Sequence, residues 1–147
     1  MKIVLGSDHA GYDLKNDLCN YLKEIGHEVI DVGTNLKESC DYPEFGALAA
    51  KKVSSGEAER GIVICYTGIG ISIAANKVDG IRCALVRSPD EAFLTRSHND
   101  ANVLALGAKY TPFEYAKDIV NVFLNEDFSK MEKHQRRINK LMKLEEK

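Results

Sequence analysis

The chain has 147 residues, 44% hydrophobic and 29% charged, with a formal net charge of -2. That is chain enough for one globular core without disulfides or metal, and a single domain over residues 1–147 is the expected extent. The charge balance lacks the basic footprint of a nucleic-acid or membrane-surface protein, and charges interrupt every apolar run before the roughly 18 residues a membrane span needs.

KIVLGS (2–7) is a short apolar run ending in Gly and Ser, and predicts a first strand. MKIVLGSDHAG meets Asp8 and His9 too soon for a signal peptide, so the protein is expected in the cytoplasm. Leu14, Leu18, Leu22 and Ile25 recur at helical spacing over 10–25, and Gly26 closes that helix. HEVIDVG (27–33) predicts a second strand, followed by a polar loop. Pro43 opens a helix through the Ala-rich stretch to about Val53. GIVICY (61–66) is a strongly apolar third strand, then come a glycine turn and a helix over about 70–77. IRCALV (81–86) predicts a fourth strand, SPDEAFLTRSH (88–98) a capped helix, and NVLALG (102–107) a fifth strand. Helices follow over 112–124, with Pro112 at the start, and over about 130–146.

Strands alternating with helices predict a three-layer α/β/α, Rossmann-like domain: a five-stranded parallel sheet, with the last helix outside the alternation. In such a sheet ligands bind outside the carboxyl ends of the strands. That rule selects Ser7, Asp8 and His9, the segment from Cys65 to Gly70, Arg87 and Lys109.

GIVICYTGIGISIAANK (61–77) carries the strongest chemical signal. A strand ends at Cys65, Gly68 and Gly70 bracket a tight turn, and a helix begins. Its amides and dipole make an anion site, for a phosphate or for a developing oxyanion. The turn is neither a Walker A loop nor a full dinucleotide fingerprint, since Ile73 stands at the third glycine position. Cys65 beside it reads either as a small buried hydrophobe or as a thiol in a place that favours thiolate. Cys19, Cys40 and Cys83 show no C-x-x-C spacing, so no structural zinc or redox pair is expected; Cys19 and Cys83 read as small buried residues and Cys40 as incidental. Taken alone, Asp8 reads as a helix cap, His9 as an exposed side chain, and His98 as a helix-terminal histidine.

GSDHAGYDLK (6–15), EVIDVGT (28–34), DYPEF (41–45), the 61–77 segment, SHNDANVLALG (97–107) and KHQRR (133–137) occur in register over nearly the whole chain. Together they resemble the type B ribose-5-phosphate isomerases, in the family that also holds galactose-6-phosphate isomerase. The resemblance implies interconversion of D-ribose 5-phosphate and D-ribulose 5-phosphate in the non-oxidative pentose phosphate pathway. It implies no metal or organic cofactor, and a homodimer, or a tetramer, with active sites shared between subunits. It implies Cys65 as the base, and Thr67 and His98 as the pair that opens the furanose ring. Asp8 and Asn99 would hold sugar hydroxyls. The turn Tyr66, Thr67, Gly68, Ile69 and Gly70 would form the anion hole, with Ser72 beside it. His9, Lys109, Lys133 and Arg137 would bind phosphate.

This chain departs from the family at Tyr66, where Gly is usual and where a positive φ would be costly. Lys109 and Lys133 replace Arg, which keeps the charge and loses the bidentate fork. The rival readings are an isomerase of allose 6-phosphate or galactose 6-phosphate, and a non-catalytic phosphosugar-binding module. The His98-Asn99 pair favours ribose within the resemblance, because the galactose enzymes lack that histidine. A module would have no need of Cys65 and His98 together. No nucleic-acid or membrane partner is expected.

Overall fold

The computed structural model describes residues 1–146. Its five strands are β1 (Lys2–Ser7), β2 (Glu28–Asp31), β3 (Arg60–Cys65), β4 (Cys83–Leu85) and β5 (Val103–Gly107). The helices are α1 (Tyr12–Glu24), α2 (Tyr42–Ser54), α3 (Ile69–Asn76), α4 (Pro89–Asn99), α5 (Phe113–Asn125) and α6 (Glu132–Lys143), with a 3-10 turn at His9–Gly11. All strand pairs are parallel, in the order β2-β1-β3-β5-β4.

Alternation along each strand sorts the core onto two faces. Ile3, Leu5, Ile62, Ile64, Leu104 and Leu106 face a layer that includes Leu14, Leu18 and Leu22 of α1 and Ile119 and Phe123 of α5. Val4, Val63, Cys65, Val103 and Ala105 face Ala49, Ala50 and Val53 of α2 and Ile71 and Ala75 of α3. Burial on both faces is why the strands read as continuous apolar runs rather than alternating ones.

Several elements are shorter than their sequence signals. β4 holds only Cys83–Leu85, although Ile81 and Val86 are buried on either side. It is an edge strand paired with β5 alone, so apolar flanks are buried without extending the ladder. β2 spans 28–31 rather than 27–33, and α6 spans 132–143 rather than 130–146. α1 ends at Glu24, which leaves Ile25 as an exposed cap residue (47%) outside the core. Gly26, at φ +96°, then reverses the chain. Pro43 sits in the first turn of α2, and Ser88 caps α4 by accepting the Glu91 amide at 3.1 Å.

Candidate active site

β1 sends α1 to one face of the sheet, while its neighbour β3 sends α3 to the other. Chain paths diverge there and open a crevice at the carboxyl edge. The same divergence recurs between β3 and β5, because α5 lies on the α1 face. Cys65, the last residue of β3, therefore stands between two crevices.

The Cys65 side chain is buried (5%), and its sulfur accepts the Gly68 N–H at 3.2 Å. Gly68 has φ +79°, and a Cβ there would fall 2.6 Å from Leu85 Cδ1 and 2.8 Å from the Leu106 carbonyl carbon. Glycine is thus required twice over, by conformation and by space. Thr67 Oγ1 accepts the Ile69 amide at 3.2 Å. The first intrahelical bond of α3 runs from the Ser72 amide to Gly68 O, so the amides of Ile69, Gly70 and Ile71 precede it. The Ser72 hydroxyl donates to Ile69 O at 2.7 Å and braces that first turn. The Gly68 N–H thus points at the sulfur, with the N-terminus of α3 beside it.

Tyr66 is not in the left-handed region: among the described residues the non-glycine positive-φ positions are Asp100 and Lys130. The strain expected of a side chain at this position is absent, because Gly68 carries the unusual torsion. The Tyr66 ring is exposed (55%), with Lys109 Nζ 5.4 Å from its centroid and 5.6 Å from that of Tyr110. Arg87 lies 5.0 Å over Tyr110, so two cations and two rings form one rim beside the turn.

Asp8 and His9 complete this edge. The Asp8 amide donates to Ile64 O, and its Oδ1 accepts the Gly11 amide at 3.2 Å, so the side chain caps the 3-10 turn that follows β1. His9 Nδ1 accepts the Cys40 amide at 3.2 Å.

His98 and Asn99 lie elsewhere. α4 runs antiparallel to the strands, and its last turn sits at the amino edge. There Arg82, just before β4, donates to Asn99 O at 2.9 Å and to Asp100 O at 2.8 Å. The His98 ring packs on His134 with centroids 4.2 Å apart, and His134 Nδ1 is 2.6 Å from Ser129 Oγ. Burial, then the neighbouring His98, Lys133 and Arg137, push the His134 imidazole below its ordinary value. His98, Asn99, His134, Arg137, Ile138 and Leu141 line a cavity of about 350 Å³. A larger cavity, about 500 Å³ between β4 and α6, shares no residue with the Cys65 turn.

The expected residues therefore form two groups at opposite ends of the sheet. Asp8, His9, Cys65 to Gly70, Ser72 and Lys109 gather at the carboxyl edge, and His98, Asn99 and Arg137 at the amino edge, with Lys133 beside them on α6. Other residues belong to these surroundings without having been singled out in the sequence. Tyr42 covers Gly70, where a Cβ would fall 2.5 Å from its Cζ. Lys15, fully buried, donates to both Asp31 oxygens (3.0 and 2.9 Å) and to Thr34 O (3.0 Å), tying down the loop after β2. Lys15, Tyr42 and His134 lie within the segments GSDHAGYDLK, DYPEF and KHQRR without being picked out there, and Cys40 reads from sequence as incidental.

The family model described as Ribose/Galactose Isomerase matches residues 3–141. The chain belongs to that family. It is 44% identical to ribose-5-phosphate isomerase B of Escherichia coli, over 99% of this chain and 97% of that one. The solved structure of the Clostridium thermocellum ribose-5-phosphate isomerase B superposes with a TM-score of 0.96 at 51% identity, covering 99% and 97% of the two chains. That of the Mycoplasma genitalium enzyme with bound ribulose-5-phosphate gives 0.93 at 40% identity, covering 99% and 97%.

Proposed function

We propose that this protein is an aldose–ketose isomerase that interconverts D-ribose 5-phosphate and D-ribulose 5-phosphate. It serves the non-oxidative pentose phosphate pathway in the cytoplasm and acts as a homodimer with shared sites. The observation that carries the reading is the buried Cys65 sulfur, held at 3.2 Å by the Gly68 amide at the start of α3. Family membership and relatives named for this reaction support the choice of substrate.

The mechanism follows from the residue types. Ribose 5-phosphate arrives mainly as a ring, and His98 of the partner subunit, with Thr67, moves the proton that opens it. Cys65 thiolate then takes the C2 proton, which is acidified by the C1 carbonyl. Charge passes to the C1 oxygen, giving a cis-enediolate that the turn amides stabilise. The C2 hydroxyl proton then passes to the C1 oxygen, and the Cys65 thiol returns its proton to C1 as the C2 carbonyl forms, which yields the ketose. Asp8 and Asn99 of the partner subunit orient the hydroxyls. His9, Lys109 and the partner subunit's Lys133 and Arg137 hold the phosphate, far from the reacting carbons, so its binding serves to position the sugar.

Two facts support the shared arrangement. His98 and Cys65 stand at opposite edges of one chain, too far apart to serve one sugar. The helix after the turn exposes Ile69 (46%) and Ile73 (56%) on one face, and α4 exposes Phe93 and Leu94.

The test is a panel of aldose phosphates with wild type and Cys65→Ala. The expected result is turnover of ribose 5-phosphate at a kcat/KM about tenfold or more above those of allose and galactose 6-phosphates, with Cys65→Ala losing at least about 90% of it while keeping its fold. Preference for a six-carbon sugar would replace the substrate. Phosphosugar binding without turnover would return the chain to the rank of a binding module.

A further inference from the structure

His9 is partly buried at the mouth of the β1 crevice, and its Nδ1 accepts the backbone N–H of Cys40 at 3.2 Å, across 31 positions of sequence. The Cys40 thiol lies farther off, 3.9 Å from the same nitrogen. A peptide N–H can only donate, so Nδ1 must present its lone pair. The proton of the neutral ring then sits on Nε2.

The loop that delivers this amide is itself anchored. Val32 N–H donates to Leu5 O and Thr34 N–H to Ser7 O, which continue the strand pairing past the end of β2. Lys15 Nζ holds Asp31 and Thr34 O from beneath, and Thr34 Oγ1 closes a turn by accepting the Leu36 amide at 3.3 Å. Gly33 is pressed against this lysine, since a Cβ there would fall 2.6 Å from Lys15 Cδ. Cys40 thus hangs from a segment tied at its start to the sheet and at its end to α2, and its amide has a set place.

We infer that the backbone amide of Cys40 is a positioning group for His9: it fixes the imidazole in the Nε2–H tautomer, so that the ring meets the substrate phosphate as a ready-made Nε2–H donor. The inference rests on the reading of His9 as a phosphate ligand. It adds which nitrogen does the work and which part of the chain sets it. Without the lock, the ring would divide between two tautomers and two ring flips, and only a fraction of molecules would be competent, which lowers apparent affinity by that fraction. The Cys40 side chain is dispensable in this scheme; only its N–H matters.

Tautomers are read directly by long-range nitrogen–proton NMR of the full-length protein carrying isotope-labelled histidine, with His9→Asn to assign the signal. The expected spectrum of phosphate-free wild type shows His9 with a pyridine-like Nδ1 and a protonated Nε2, unchanged in Cys40→Ala and Cys40→Ser. A protonated Nδ1, or averaging between the two forms, overturns the inference. Kinetics tests the consequence. In His9→Gln the amide nitrogen reaches the place of Nε2, and in His9→Asn that of Nδ1. KM for ribose 5-phosphate should stay within about threefold in the first and rise about tenfold or more in the second, with kcat little changed in either. The Nε2–H tautomer together with wild-type KM in both variants would overturn the assignment of His9 to the phosphate and leave the tautomer standing. Cys40→Pro, which removes the N–H, should release tautomer averaging. A pure Nε2–H signal in that variant would show that another group holds the ring and would overturn the role of Cys40. If Cys40→Pro fails to fold, the wild-type spectrum and the Gln and Asn pair still decide.

Discussion

Mixing two inactive variants tests the shared site most directly. β5 runs five residues, Val103–Gly107, from the edge that holds His98 to the edge that holds Cys65. At about 3.3 Å per residue the two edges are roughly 13 Å apart, and His98 lies beyond one of them. A proton-transfer group must come within about 3 Å of its target, so the gap within one chain is several times too wide. Cys65→Ala and His98→Ala should each lose about a hundredfold or more in turnover of ribose 5-phosphate. Unfolded together in equal amounts and refolded, they give about half mixed dimers, each with one doubly damaged site and one intact site. Activity should therefore return to about a quarter of that of wild type. Separable tags on the two variants would establish that mixed dimers had formed. Verified mixed dimers that stay at the background rate would refute the reasoning, because each site would then draw both residues from one chain. Full activity in a protein that sediments as a monomer would refute it as well.

Gly68→Ala forces a side chain into the left-handed region and against Leu85 and the Leu106 carbonyl carbon. It should cost about 2 kcal/mol, or roughly 4–8 °C in Tm, and remove most activity; an unchanged melting curve would mean that the turn accommodates the methyl group. Burial pushes the Cys19 thiol up to about 11, so it should resist alkylation at about pH 8 until the protein unfolds, whereas Cys83, expected to be buried, is only half-buried and lines the cavity between β4 and α6. Rapid labelling of Cys19 in the native state, read by mass spectrometry, would contradict its burial. His134, held below its ordinary 6.5, refuses a proton that the unfolded chain accepts, so stability is full above about pH 6.5 and falls as pH drops from there toward the lowered folded value. The fall in Tm between about pH 7 and pH 5 should be steeper in wild type than in His134→Gln; equal slopes would remove His134 as its source.

The parallel sheet was legible because burial on both faces leaves uninterrupted apolar runs, and glycines and prolines mark their limits. Ile25 and the flanks of β4 misled for one shared reason. Apolar character reports burial, whereas an element's end is set by backbone torsion and by whether a neighbour is there to pair. The Cys65 turn was legible because conformation and space both demand glycine at 68. By contrast, Cys40 meeting His9, Tyr42 covering Gly70 and His134 packing under His98 depend on how separate elements pack, and no local pattern encodes them. The division of the site into two groups has a different standing. In a parallel α/β sheet every connecting helix runs back against the strands, so a residue in its last turn must lie at the amino edge. His98 and Asn99 end α4 and Cys65 ends β3. Topology alone therefore sets them at opposite edges. One sugar can meet both only where a second copy of the chain turns its amino edge toward the first copy's carboxyl edge. In the proposed dimer a two-fold axis would do this twice, joining each turn to the other chain's histidine.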